Sequence, residues 1–165
     1  MGNFPLLLSI EAPISLNGSI TRDIGLFDKD PSFGTDRLAS GILDFGNGLQ
    51  ASFTCSTQVA PYQRINILGT HGRVEIDIPF NAPPDRPCRV SLYPGTHSDQ
   101  GRFEPDESQV LDMDICDQYT LQGEAISLAI LNDEPVPYGL EDAVGNMRTL
   151  KALRQSNESS AWIVP

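Results

Sequence analysis

The chain has 165 residues, enough for one compact domain with a core and too few for two. Its 22 acidic and 11 basic residues give a formal net charge of −11, which repels phosphate backbones and anionic lipid surfaces, so neither nucleic acid nor membrane is expected as a partner. Gly (14) and Pro (13) are frequent, as in a turn-rich fold rather than a helical bundle.

A first strand is expected around 19–27. Residues 39–45 and 49–56 make the clearest pair, with Gly41, Leu43 and Phe45 alternating on one run and Leu49, Ala51, Phe53 and Cys55 on the next. A two-residue turn at Asn47-Gly48 would set Phe45 opposite Gln50 and mix the faces. A three-residue loop, Gly46-Asn47-Gly48, sets Phe45 opposite Leu49 and Leu43 opposite Ala51, so the pattern favours the longer loop. The second hairpin, 62–68 with 73–80 around Gly69-Thr70-His71-Gly72, puts Ile67 opposite Val74 and Ile65 opposite Ile76. Its other face carries Arg64 opposite Asp77 and Asn66 opposite Glu75. Both hairpins therefore specify a sheet with one apolar and one polar face, and Gln50, Ser52, Thr54 and Ser56 extend the polar one.

The prolines of Asn81 to Pro87 exclude a regular element there. Further strands are expected at 88–93 and 109–115, joined by a mobile polar loop from Pro94 to Glu107. From Asp117, a plausible N-cap, the period becomes helical: Leu121, Ala125, Leu128 and Ala129 form a stripe that Ile126, Ile130 and Leu131 widen, as in a helix buried on more than one side. Asn132-Asp133-Glu134-Pro135 ends it. A second helix starts near Leu140, with Glu141 and Asp142 in its first turn, Arg148, Lys151 and Arg154 later, and Ala143, Met147, Leu150 and Leu153 as the expected buried face. The expected class is α+β: an open-faced, mostly antiparallel sheet with two C-terminal helices packed on one face.

The search for catalytic chemistry is negative. There is no G-x-G-x-x-G turn after a strand and no phosphate-binding Walker loop. Asp44-Phe45-Gly46 spells a kinase triplet with nothing else of a kinase around it, and reads as a strand running into a turn. His71 and His97 lie on turn-like segments with no second ligand at metal spacing, so no metal site is expected. Asp112 and Asp114 share one side of a strand with Asp117 just beyond; a solvated or arginine-paired face is favoured over a cation site. Cys55, Cys88 and Cys116 are odd in number, scattered and without a C-x-x-C pair, which suits reduced thiols and a cytoplasmic location. The N-x-S/T sequences at Asn17 and Asn157 matter only after secretion, of which there is no other sign. The polar sheet face admits two readings, wet or covered by another subunit, and pattern alone leaves both open.

The segments Phe33-Gly34-Thr35-Asp36-Arg37-Leu38, Gly41-Ile42-Leu43-Asp44-Phe45 and Gln50-Ala51-Ser52-Phe53 resemble the C-terminal domain of the glucose–fructose oxidoreductase / inositol dehydrogenase / MocA family. So do Ile67-Leu68-Gly69-Thr70-His71-Gly72-Arg73-Val74-Glu75-Ile76 and Pro79-Phe80-Asn81-Ala82-Pro83. Asp117-Gln118-Tyr119-Thr120-Leu121-Gln122-Gly123-Glu124, Leu140-Glu141-Asp142-Ala143 and Asn146-Met147 continue the likeness to about Val164. The resemblance implies a dihydrodipicolinate-reductase-like C-terminal domain over 19–165, behind an atypical segment at 1–18 and without the N-terminal Rossmann domain. It implies NAD or NADP for the full-length parent, none bound by this chain, and hydride transfer to or from a sugar or polyol. It also implies a homo-oligomer built through the polar sheet face. The family's catalytic lysine and Asp/His helix motifs are not found here, so no catalytic or cofactor-binding residue is assigned.

What the resemblance leaves is a substrate-side wall: Tyr119 and Gln122 at the sheet-to-helix junction, then Arg64 and Tyr62. The structural alternatives are that Tyr119 packs beneath its helix and that Arg64 merely pairs with Asp77. Two functions are compatible with these features. One is an oxidoreductase domain inert by itself; the other is a stand-alone carbohydrate-binding or assembly module derived from it. The apolar start, Phe4 to Ile10, has no basic flank, is too short for a membrane span, and is expected to cover surface that the absent half would hide.

Overall fold

The computed structural model describes residues 6–11, 19–136 and 139–165, the first of these as backbone only; Phe4 and Asn17 lie outside them. Among the described residues nine strands and two helices are formed: β1 (Leu6–Glu11), β2 (Arg22–Lys29), β3 (Asp36–Gly46), β4 (Leu49–Ser56), β5 (Gln63–Gly69), β6 (Gly72–Asp77), β7 (Arg89–His97), β8 (Phe103–Pro105), β9 (Gln109–Asp112), α1 (Gln118–Asn132) and α2 (Leu140–Ser159). The sheet runs β2-β3-β4-β1-β5-β6-β7-β8, with β9 pairing β7 as well. It is antiparallel except where β1 lies parallel to β5. Over residues 6–10 the apolar start is therefore not a surface cover. Its residues 6–11 complete the middle of the sheet, joining two hairpins that the alternation pattern leaves as separate units.

The second hairpin has the expected register, with Ile65 opposite Ile76, Ile67 opposite Val74 and Arg64 opposite Asp77. In the first, Leu43 faces Ala51 as expected, but Gly46, not Phe45, faces Leu49. The turn has two residues after all: Asn47 and Gly48 both take positive φ (54° and 81°), the geometry that matches strand twist. A bulge between Asp44 and Gly46 absorbs the extra residue and keeps the faces in phase. The span Pro94 to Glu107 is likewise ordered differently from expectation. β7 continues through it and folds back as β8, with Gly95 opposite Pro105 and His97 packed edge-on against Phe103 at 5.4 Å.

α1 is capped by Asp117, whose carboxylate accepts the Tyr119 N–H, and ends at Asp133 in the left-handed conformation. Its apolar stripe is present but uncovered: only Ala129 is buried, while Leu121, Leu128, Ile130 and Leu131 are exposed. The expectation of a helix buried on several sides is not met among the described residues, because the stripe meets no strand of this chain broadly. α2 instead lies along β2 and buries Ala152, Leu153 and Ser156; Met147 and Leu150, expected inside, are exposed. Small residues decide this contact. Gly25 and Ser156 let the two backbones approach, and Leu153, 2% exposed, fills the seam, a burial worth roughly 1.5–3 kcal/mol.

The edge of the sheet at β2 is closed by the same helix and by the segment that follows it. The outward N–H groups of Asp23, Gly25 and Phe27 donate to Ile163 O (2.8 Å), Ser156 Oγ (3.1 Å) and Asn157 Oδ1 (2.9 Å). An edge strand so occupied cannot recruit a foreign strand. Neither helix is long and apolar enough to cross a membrane.

Candidate substrate-side site

Arg64 leaves β5 on the open face of the sheet, where its Nη1 donates to the Asp77 carboxylate across the β5–β6 pair. Its guanidinium carbon stands 5.7 Å from the ring centroid of Tyr62, itself 52% exposed. Burial works against the arginine charge, but the hydrogen bond with Tyr62 and the field of Asp77 outweigh it, so the proton is held more tightly than usual. The Nε of Arg64 is buried with no hydrogen-bond partner.

Tyr119 and Gln122 sit on the first turns of α1, and both are exposed, Tyr119 to 61%. Tyr119 does not pack beneath its helix. What fixes this turn is Asp117: its carboxylate accepts the Thr120 hydroxyl and the Tyr119 N–H, each at 3.0 Å, and these bonds hold its pKa below the ordinary value. Asp117 is thus committed to the cap, and Asp112 is paired with Arg89 (3.2 Å).

The two pairs of candidates are joined through the backbone that follows β6. Ile78 adopts a left-handed φ of 49°, uncommon for a β-branched residue, and turns the chain out of the sheet. Phe80 O then accepts from Gln118 Nε2, and the Asn81 N–H donates to Gln63 Oε1, each at 3.2 Å. Gln63 lies between Tyr62 and Arg64 and is 7% exposed, on the inner face. A hydrogen-bonded path therefore runs from the start of β5 to the start of α1. Sequence reading passed over Gln63, although a glutamine in phase with Ile65 and Ile67 was a visible signal of a buried polar tie. A cleft of about 530 Å³ between the β2–β3 turn and α2 is lined by Lys29, Thr35, Asp36, Arg154 and Glu158, and none of the four candidates borders it.

Residues 19–164 match the oxidoreductase family, C-terminal alpha/beta domain. The chain belongs to this family. Among curated proteins this oxidoreductase domain is 36% identical, over 141 residues, to the uncharacterized oxidoreductase ORF334 of Rhizobium meliloti, covering 86% of the chain and 41% of that protein. It is 27% identical over 130 residues to D-xylose 1-dehydrogenase (NADP(+)) 2 of Haloferax volcanii, covering 79% and 37%. The chain thus spans about two-fifths of the length of these relatives. Its fold matches a 3-ketoreductase from Actinomadura kijaniata crystallised with TDP-benzene and NADP (TM-score 0.72, 15% identity, 92% of this chain and 51% of that one). It also matches an aldose–aldose oxidoreductase from Caulobacter crescentus complexed with glycerol (TM-score 0.67, 15% identity, 99% and 56%).

Both helix N-termini of the oxidoreductase domain carry acidic side chains among the described residues. A pyrophosphate is usually held by the free N–H groups at a helix N-terminus. At α1 the Asp117 carboxylate already occupies that position, and at α2 the first turn carries Glu141 and Asp142. Both ends present negative charge where the ligand would bring its own.

Proposed function

We propose that this chain is the substrate-side and subunit-joining domain of an NAD(P)-dependent sugar or polyol oxidoreductase, with the cofactor held by a different domain and no turnover by this chain alone. The open sheet face carries the reading. Four of its arginines are paired with carboxylates of the same face: Arg22 with Asp44 (2.9 Å), Arg64 with Asp77, Arg73 with Glu75 (3.4 Å) and Arg89 with Asp112 (3.2 Å). A face neutralised within itself meets a copy of itself without charge repulsion, and its arginines and tyrosines are the residue types that interfaces favour. On the same face stand Leu26 and Ile42, 72% and 40% exposed, Leu26 opposite Ser40 and Ile42 opposite Ile24 across β2 and β3.

The opposite side supports a second contact. Leu43, Phe53, Ile65, Ile67, Val74 and Leu92 are only half-buried, and the α1 leucines are open. We assign a cofactor domain as their cover. Tyr119, Gln122, Tyr62 and Arg64 are the substrate-side residues in this account. Aromatic faces and amide groups suit the apolar and hydroxyl edges of a sugar.

Sedimentation of the chain tests the assembly. The expected result is an oligomer for the wild type and a monomer of unchanged circular dichroism for Leu26→Arg/Ile42→Arg. A wild-type monomer at every accessible concentration overturns the subunit-joining role.

A further inference from the structure

Asp23 is fully buried, at 0% exposure, yet neither of its carboxyl oxygens has a hydrogen-bond partner. The residues paired with it, Leu43 on β3 and Ile163 in the C-terminal segment, are uncharged, as are Leu153 and Ser156, which α2 brings to the same strand at Gly25. The ionisable groups of those elements are engaged elsewhere or lie in water. Arg22 is bound to Asp44, Arg37 to Asp28 and Arg154 to Asp36, while Lys29, Lys151 and Glu158 are exposed. A neutral carboxyl is tolerated in such a place; a carboxylate without a partner is not.

The backbone of the same residue anchors the end of the chain. The Asp23 N–H donates to Ile163 O at 2.8 Å, and the Ile163 N–H returns to Asp23 O at 3.0 Å. Beside this pair the guanidinium carbon of Arg22 lies 4.7 Å from the Trp162 ring centroid. Residues 161–165 thus form a strap over the outer edge of β2, held at one point, directly above the buried acid.

We propose that Asp23 is the latch of a pH-operated strap: with its carboxyl neutral, residues 161–165 stay closed on β2, and ionisation draws the side chain to water, lifts the strap and frees that stretch of sheet edge. Burial alone raises the Asp23 pKa to about 6, against 3.8 for an unhindered aspartate. The difference weakens strap closure by about a hundredfold once pH has risen past both values. Among the described residues, two backbone hydrogen bonds and one cation–π contact hold the strap against this change.

Trp162 is the single tryptophan of the chain and reports on the strap directly. As pH rises from about 5 to about 8, a range that spans the raised Asp23 pKa of about 6, its fluorescence should shift to the red in the wild type. The shift should vanish in Asp23→Asn, which keeps the shape and removes the charge, with Trp162 emission fixed near the low-pH value. It should persist in His71→Gln/His97→Gln, which leaves Asp23 in place. A wild type with no shift, or a shift retained by Asp23→Asn, overturns the latch.

Discussion

A Cβ built on Gly25 would stand 2.8 Å from the carbonyl oxygen of Leu153 and 3.2 Å from its Cβ, so strand β2 and helix α2 touch backbone to backbone at this glycine. The obstacle is main chain, which cannot swing aside as a side chain would. Gly25→Ala should therefore separate helix and strand, weaken the Gly25 N–H bond to Ser156 and cost about 1–3 kcal/mol in urea unfolding. Gly123→Ala is the contrast. Nothing lies within 4 Å of its Cβ position on α1, and the same substitution should stabilise by about 0.4–1 kcal/mol. Equal stability of Gly25→Ala and wild type would mean that α2 is not seated as described.

The Arg64–Asp77 pair is half-buried, its side chains 29% and 31% exposed, and lies directly across two strands. A double-mutant cycle with Arg64→Ala and Asp77→Ala should return a coupling of about 0.5–1 kcal/mol, reduced by added salt. Each single variant should lose more than the pair is worth, because it strands the other group. A coupling of zero would leave Arg64 free for a ligand rather than held by its neighbour.

Asp23 gives stability a slope of unusual sign for a carboxylate. Its folded pKa, about 6, lies above the unfolded value, so the folded state binds the extra proton and this residue's contribution to stability falls as pH rises from about 4 to about 6. Asp23→Asn should remove that fall. Measured by urea unfolding, the variant should match the wild type near pH 4 and exceed it at pH 7 by up to about 3 kcal/mol. A variant less stable than wild type at pH 7 would show that the carboxylate is satisfied by a partner.

The sheet was legible wherever both faces declared themselves. In the second hairpin, apolar residues on one side and an Arg–Asp pair on the other leave one register open. At the first hairpin, a three-residue loop and a two-residue turn with a bulge at Phe45 keep the same faces in phase, and alternation cannot separate them. Helix α2 was misread by a turn because the rule that large residues go inside fails where a glycine strand asks for small ones. Ser156 is buried, and Met147 is in water. Asp23 and Gln63 are polar residues at inner positions, visible in the pattern but without meaning until their neighbours are known. The residues expected to face substrate were chosen by resemblance. The fold places Tyr62 with Arg64 and Tyr119 with Gln122, and ties the two pairs through Gln63 and Phe80.

The central claim is that this domain walls a substrate and joins subunits while the nicotinamide is held elsewhere. Calorimetric titration of the chain alone with NADH and NADPH tests it most directly. No heat of binding is expected from either cofactor, consistent with two helix N-termini already occupied by acidic side chains. Saturable binding of either one, with a stoichiometry near one per chain, would contradict it.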